Sequence, residues 1–125
     1  MTANVAKART VIADDYEPIR ALLRHIVESH CEVVYEASNG PETIAAVERL
    51  EPELLLLDIS MPGMSGFEVL RRVKEKLPRI QVIIVSEHRD PTYKEEAIRL
   101  GAGAYVSKRT ALQTLLECVE RLITG

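Results

Sequence analysis

The chain has only four aspartates, against fifteen glutamates, and their positions are informative. Asp14 and Asp15 follow the apolar, β-branched run Arg9–Ala13, and Asp58 follows the leucine run Leu54–Leu57. Ser86 closes the run Gln81–Ser86, and Lys108 comes directly after Ala104–Ser107. Three carboxylates, a hydroxyl and an ammonium therefore stand where short apolar runs end. If the first and third runs are neighbouring strands, the carboxylates share one pocket. Two such charges at short range repel by roughly 4 kcal/mol at an effective dielectric near 20. The cluster needs a cation or raised pKa values. A set of hard oxygen ligands suits Mg²⁺, which keeps several waters and is often shared with a phosphoryl group. For any one Asp, capping the next helix is the simpler reading. For five polar residues all at run ends it is much weaker.

The elements that would position these groups follow from periodicity. Arg9–Ala13, Glu32–Ala37, Leu54–Leu57, Gln81–Ser86 and Ala104–Ser107 read as strands, and the leucine run suits a strand buried on both faces. Ile19, Leu22, Leu23, Ile26 and Val27 recur at helical spacing behind Pro18. Asn39, with Glu42 three residues on, predicts an N-cap for a helix carrying Ile44, Val47 and Leu50. Ser65 with Glu68 and Thr110 with Gln113 are capping-box patterns, and Asp90-Pro91 is a cap followed by Pro at the first helical position. The helix opened by Ser65 places Phe67, Leu70, Val73 and Leu77 on one face. The one after Asp90 is weakly amphipathic and ends near Gly101. The last carries Leu112, Leu115, Leu116, Val119, Leu122 and Ile123. Five β-α units with no long linker predict an α/β fold, a parallel sheet covered by helices on both faces. Right-handed crossovers bring every strand's carboxyl end to one edge, where ligands of such sheets bind.

Composition excludes several classes of function. The 125 residues carry a formal net charge of −3, with 46% apolar and 28% charged residues, an ordinary globular balance. A duplex-DNA-binding module would be basic. No apolar run reaches membrane-spanning length, and 1–10 has no signal-peptide core. Cys31 and Cys118 lie far apart in no C-x-x-C pattern and read as reduced thiols of a cytosolic protein. His25, His30 and His88 share no metal-ligand spacing. Arg71, Arg72, Lys74, Lys76 and Arg79 read as a solvated basic face, with a partner-docking patch as the alternative. The turn after the first run is acidic and lacks G-x-G-x-x-G, which argues against binding a bare nucleotide phosphate.

Taken together, Ala13-Asp14-Asp15, the stretch Asp58-Ile59-Ser60-Met61-Pro62-Gly63-Met64-Ser65-Gly66, Ser86, and Gly101-Ala102-Gly103-Ala104-Tyr105-Val106-Ser107-Lys108 resemble a two-component response-regulator receiver domain. The resemblance covers nearly the whole chain from Arg9, leaving 1–8 as a lead-in and 9–125 as the domain. It implies a five-stranded, doubly wound parallel sheet in the flavodoxin-like order 2-1-3-4-5. It implies that Asp58 accepts a phosphoryl group from a sensor histidine kinase. Asp15, Asp58 and the main-chain carbonyl of Ser60 would ligate Mg²⁺, with Asp14 acting through water. Lys108 would pair with Asp58 and then with the phosphoryl group. Ser86 would hydrogen-bond that group while Tyr105 moves inward. The result is a cytoplasmic switch rather than a turnover enzyme. A haloacid-dehalogenase-type phosphatase would instead carry D-x-D after its first strand.

Departures from the family pattern are local. Glu87 stands after Ser86, where a small residue is usual. Arg109 replaces the frequent Pro after Lys108, so no cis peptide is expected there. Ser60 and His88 occupy variable positions that tune phosphoryl lifetime. Tyr93, Leu100 and Tyr105 could form an output surface or belong to the core. The segment from Tyr105 and the ending Val119–Gly125 resemble receivers of the NarL/FixJ type. That implies a helix-turn-helix domain beyond this chain as the DNA-binding part, a homodimer on phosphorylation, and no nucleic-acid or membrane contact by this domain itself; a stand-alone receiver is the alternative.

Overall fold

The computed structural model describes residues 7–124, apart from the side chains of Leu112 and Thr124. Most of the expected lead-in, Gly125, and the part of Leu112 in the last helix's apolar face therefore lie outside the described residues. The rest form five strands and five helices in strict alternation. These are β1 (Ala8–Ala13), α1 (Glu17–Val27), β2 (Cys31–Ala37), α2 (Gly40–Leu50), β3 (Leu54–Leu57), α3 (Gly66–Lys76), β4 (Gln81–Ser86), α4 (Pro91–Arg99), β5 (Ala104–Ser107) and α5 (Ala111–Thr124). β1 and β2 each begin one residue earlier than the hydropathy pattern predicts. Ala8 and Cys31 are register partners and bring each other into the ladder.

All strands run parallel in the order β2-β1-β3-β4-β5. The four leucines of β3 show why an unbroken apolar run was needed. Leu55 and Leu57 enter the core beneath α2, α3 and α4, and Leu54 and Leu56 enter the core beneath α1 and α5. All four are fully buried. Burying each such side chain contributes about 1.5–3 kcal/mol relative to exposure. Because successive side chains alternate across the sheet, one strand feeds two cores and has no polar face.

The caps at Asn39, Ser65 and Asp90 form, but two capping boxes do not close as their patterns suggest. Asn39 Oδ1 accepts from Glu42 N at 2.9 Å, and Glu42 returns to Ser38 N, one residue before the cap. Ser65 Oγ accepts from Phe67 N at 3.0 Å, while Glu68 turns outward to Arg71 and Arg72. Asp90 Oδ1 accepts from Thr92 N at 3.0 Å. The basic cluster on α3 is therefore partly neutralised. Arg71 also pairs with Glu75, Lys76 pairs with Glu48, and Lys74 donates to the carbonyls of Pro78 and Ile80. Only Ala97 of α4 is buried, which is what its weak amphipathicity predicts. Tyr93, Leu100 and Tyr105 are half-buried against the α2–α4 core. Both cysteines are free thiols. Every peptide bond among the described residues is trans, Lys108–Arg109 included. No described helix is long and apolar enough to cross a membrane.

Candidate functional site

Strand register brings the acidic groups together. Ala13 and Leu57 are partners in the β1–β3 ladder, and the next rung continues it as Asp58 N donates to Ala13 O at 2.9 Å. Asp14 N donates to Ala37 O at 3.0 Å on the other side. Asp14 and Asp58 thus leave adjacent central strands at the same level, and the loop carries Asp15 over them. Each of Asp14, Asp15 and Asp58 offers a carboxylate oxygen within 4.8 Å of the others.

Lys108 closes the site from β5. Its Nζ lies 2.8 Å from Asp14 Oδ2 and 3.4 Å from Asp58 Oδ2. Its backbone N donates to Ser86 O at 2.9 Å, so the ends of β4 and β5 are tied together. Both paired carboxylates are buried. Burial pushes Asp58 up to about 6, against the attraction of Lys108 and with help from the negative charge of Asp14. Ser60 N, 3.3 Å from Asp58 Oδ1, offsets little of this. Burial works against the Lys108 ammonium, but its bond to Asp14 and the charges of both carboxylates prevail and raise its pKa.

One ammonium facing three carboxylates leaves an excess of negative charge. Asp14 Oδ1 accepts from Tyr16 N at 2.9 Å. Asp14 Oδ2 is buried, and the Lys108 ammonium, 2.8 Å away and shared with Asp58, is its one partner among the described residues. Three carboxylates offering oxygens within 4.8 Å of one another, with one ammonium between them, fit a hard divalent cation. The cluster opens into a cavity of about 530 Å³ lined by Asp15, Tyr16, Ile19, Asp58, Ser60, Glu87, His88 and Lys108. A groove of similar volume at the opposite end of the sheet, floored by Leu77, Ile80 and Leu122, gathers no such cluster.

The remaining expected residues stand around this cavity in different roles. Ser86 is fully buried at the end of β4, just before the lining residues Glu87 and His88, and its Oγ accepts from His88 N at 3.0 Å. Tyr105 Oη donates to His88 O at 2.8 Å. The His88 ring lies 2.8 Å from Ser60 Oγ through Nε2 and stacks on Tyr93, centroids 4.2 Å apart. His88 thus joins Ser86, Tyr105, Ser60 and α4. Nothing in its sequence position beyond following Ser86 by two signals that junction. Glu87 is exposed at the cavity mouth, and no ion pair to it, from Arg89 or elsewhere, occurs among the described residues. Gly66 lets the loop after β3 fold tightly: a Cβ there would lie 2.3 Å from Asp58 O and 2.6 Å from Ile59 Cα. Arg20, silent in the sequence, donates to the Asp14 main-chain carbonyl at 2.6 Å.

A five-stranded parallel sheet in this order, with carboxylates just after β1 and β3 facing a lysine just after β5, defines the flavodoxin-like class of α/β folds. The family model of the response regulator receiver domain matches residues 10–120, and the chain belongs to that family. Receivers are signalling switches rather than classical enzymes, and they generally bind Mg²⁺ at this acidic pocket. The chain is 34% identical to the nitrate/nitrite response regulator protein NarL of Escherichia coli (strain K12), over 98% of its own length and 58% of that protein's. It is 33% identical to chemotaxis protein CheY of Listeria monocytogenes, over 90% of this chain and 96% of that one. The crystal structure of a DNA-binding response regulator of the LuxR family from Staphylococcus aureus matches with a TM-score of 0.85 and 32% identity, over 92% of this chain and 98% of that chain. The chain spans about half the length of most of the curated transcriptional relatives it matches.

Proposed function

We propose that this receiver accepts a phosphoryl group on Asp58 from a sensor histidine kinase and passes the signal to a transcriptional output. The observation that carries the reading is the Asp58 carboxylate, buried, 3.4 Å from Lys108, and open to the cavity beside Asp15. A pKa of about 6 leaves Asp58 largely ionised near neutral pH, as a nucleophile must be. In the transfer, an Asp58 oxygen forms a bond to phosphorus as the bond from phosphorus to the donor's imidazole nitrogen breaks. The leaving imidazole keeps the bonding electron pair and takes a proton from solvent. Lys108 offsets the charge gathering on the phosphoryl oxygens. Mg²⁺, held by Asp15, Asp58 and the Ser60 carbonyl with Asp14 through water, would supply the remaining charge neutralisation.

Signal transmission follows from the same geometry. A new dianion on Asp58 attracts the proton of the Ser86 hydroxyl, and turning Ser86 toward it moves the oxygen that accepts from His88 N. His88 also holds the Tyr105 hydroxyl through its carbonyl, so its loop and Tyr105 shift together. The altered surface around α4, β5 and α5 would support a homodimer. A helix-turn-helix domain, as the transcriptional relatives suggest, would carry DNA binding. Cytoplasmic residence follows from the same reading.

The test is incubation with Mg²⁺ and acetyl phosphate, followed by intact mass. One added phosphoryl group, absent in Asp58→Asn, is the expected result. Continuous phosphate release without an Asp58 adduct would make the domain a phosphatase. No reaction, or equal labelling of Asp58→Asn, would overturn the assignment.

A further inference from the structure

Building on the reading of the acidic cluster as a divalent-cation site, we propose that Arg20 is a positioning residue for that site, acting through the peptide that joins Asp14 to Asp15. The Asp15 carboxylate is exposed, and no hydrogen bond or ion pair reaches it among the described residues. Its direction is therefore set by its backbone. The peptide before it is fixed by Arg20, whose Nη1 donates to Asp14 O at 2.6 Å. The peptide after it is fixed by Asp14 itself, whose Oδ1 accepts from Tyr16 N at 2.9 Å. Peptide planarity converts a fixed carbonyl into a fixed N and Cα for Asp15.

Arg20 is itself held rigidly. Its side chain is 14% exposed, and its Nε donates at 3.1 Å to Glu36 Oε1 on β2. The second oxygen of Glu36 accepts from Arg24 Nε at 2.8 Å. Burial raises the Glu36 carboxyl, but the bonds from Arg24 and Arg20 more than reverse this, so Glu36 stays an anion. A chain of charge-assisted bonds thus runs from α1 through β2 back to the one peptide between the two acidic residues. Groups that orient metal ligands in this way affect affinity although they never touch the ion.

The sign of the effect separates positioning from simple charge. Arg20 is a cation near a cation site, so by Coulomb's law neutralising it should tighten Mg²⁺ binding. Positioning requires the opposite. With no tryptophan in the chain, Mg²⁺ binding is best followed by isothermal titration and by the metal dependence of the melting temperature. Arg20→Met is expected to weaken Mg²⁺ about tenfold or more, within the range found for outer partners of metal ligands. Arg20→Lys should recover part of the loss, since an ammonium can still donate to the Asp14 carbonyl. Glu36→Gln, which keeps Arg20 but loosens it, should weaken Mg²⁺ less and in the same direction, and the weakening should persist at high salt, where the plain charge effect of losing an anion is screened. Labelling of Asp58 by acetyl phosphate should fall at limiting Mg²⁺ and return at saturating Mg²⁺. Unchanged or tighter binding in Arg20→Met overturns the inference. If Arg20→Met does not fold, unchanged affinity in Glu36→Gln overturns it instead. Absence of Mg²⁺ binding in the wild type would be a different result, refuting the cation site and this inference with it.

Discussion

Replacing Asp58 by Asn should stabilise the metal-free protein, and by an amount that depends on pH. The folded pKa of Asp58 stands at about 6 against an ordinary 3.8, chiefly because the carboxylate is buried. At about 1.4 kcal/mol per tenfold change in proton affinity, that displacement corresponds to about 3 kcal/mol. The folded pKa is the higher one, so between these values the native state binds more protons than the unfolded chain. Stability contributed by this group therefore falls as pH rises from 3.8 through 6, and the full cost is present above 6. The attraction of Lys108 is already included in the folded value. Asparagine cannot ionise and escapes the cost. Its advantage over wild type should be about 3 kcal/mol at pH 7.5 and about 1 kcal/mol at pH 4.5. Urea unfolding of both proteins in EDTA at the two pH values measures it, and titrating groups that do not interact with Asp58 cancel in the double difference. At roughly 4 °C per kcal/mol for a chain of this size, the gain at pH 7.5 is roughly 10 °C in melting temperature. An equal difference at both pH values, or a less stable Asn variant at pH 7.5, would refute the reasoning.

Mg²⁺ should raise the wild-type melting temperature, by the equivalent of about 2.7 kcal/mol at 100 times Kd, and Asp15→Ala should lose most of that rise in a thermal-shift titration. Glu87→Ala should speed labelling of Asp58 by acetyl phosphate several-fold at low ionic strength and less at high. A carboxylate about 6 Å from a dianion at an effective dielectric of 20 repels by roughly 3 kcal/mol per unit charge, and solvent reduces this well below 1 kcal/mol; stopped-time mass spectrometry at two salt concentrations decides it. Gly66→Ala should cost about 1–3 kcal/mol in urea unfolding and slow labelling, because its Cβ would be forced against Asp58 O at 2.3 Å and displace the loop that carries the site.

The order and type of all ten elements could be read from the chain because hydrophobic period and helix caps are local properties. The leucine run could bury both faces only in a central strand, and it became one, feeding the two cores with alternate residues. The boundary errors at Ala8 and Cys31 arose where only pairing between strands extends the ladder. The capping-box patterns of Asn39 and Ser65 predicted the caps but not the partners of Glu42 and Glu68. Nearby Ser38 and the arginines of α3 compete for those carboxylates on equal terms.

The site divides along the same line. Asp14, Asp15, Asp58, Ser86 and Lys108 could be singled out by themselves, because polar residues at the carboxyl ends of parallel strands must meet at one edge. Their distances, the raised pKa of Asp58 and the sharing of Lys108 between Asp14 and Asp58 came from tertiary packing, which depends on every element around them. Arg20 and Glu36 lie sixteen residues apart, on a helix and an edge strand, and each alone reads as an ordinary surface charge. His88 likewise looks like a loop residue until folding places Ser60, Tyr93 and Tyr105 on three sides of it. Short-range pattern decided which groups reach the edge; long-range packing decided which of them hold one another, because hydrogen-bond partners distant in sequence are chosen only when the chain is closed.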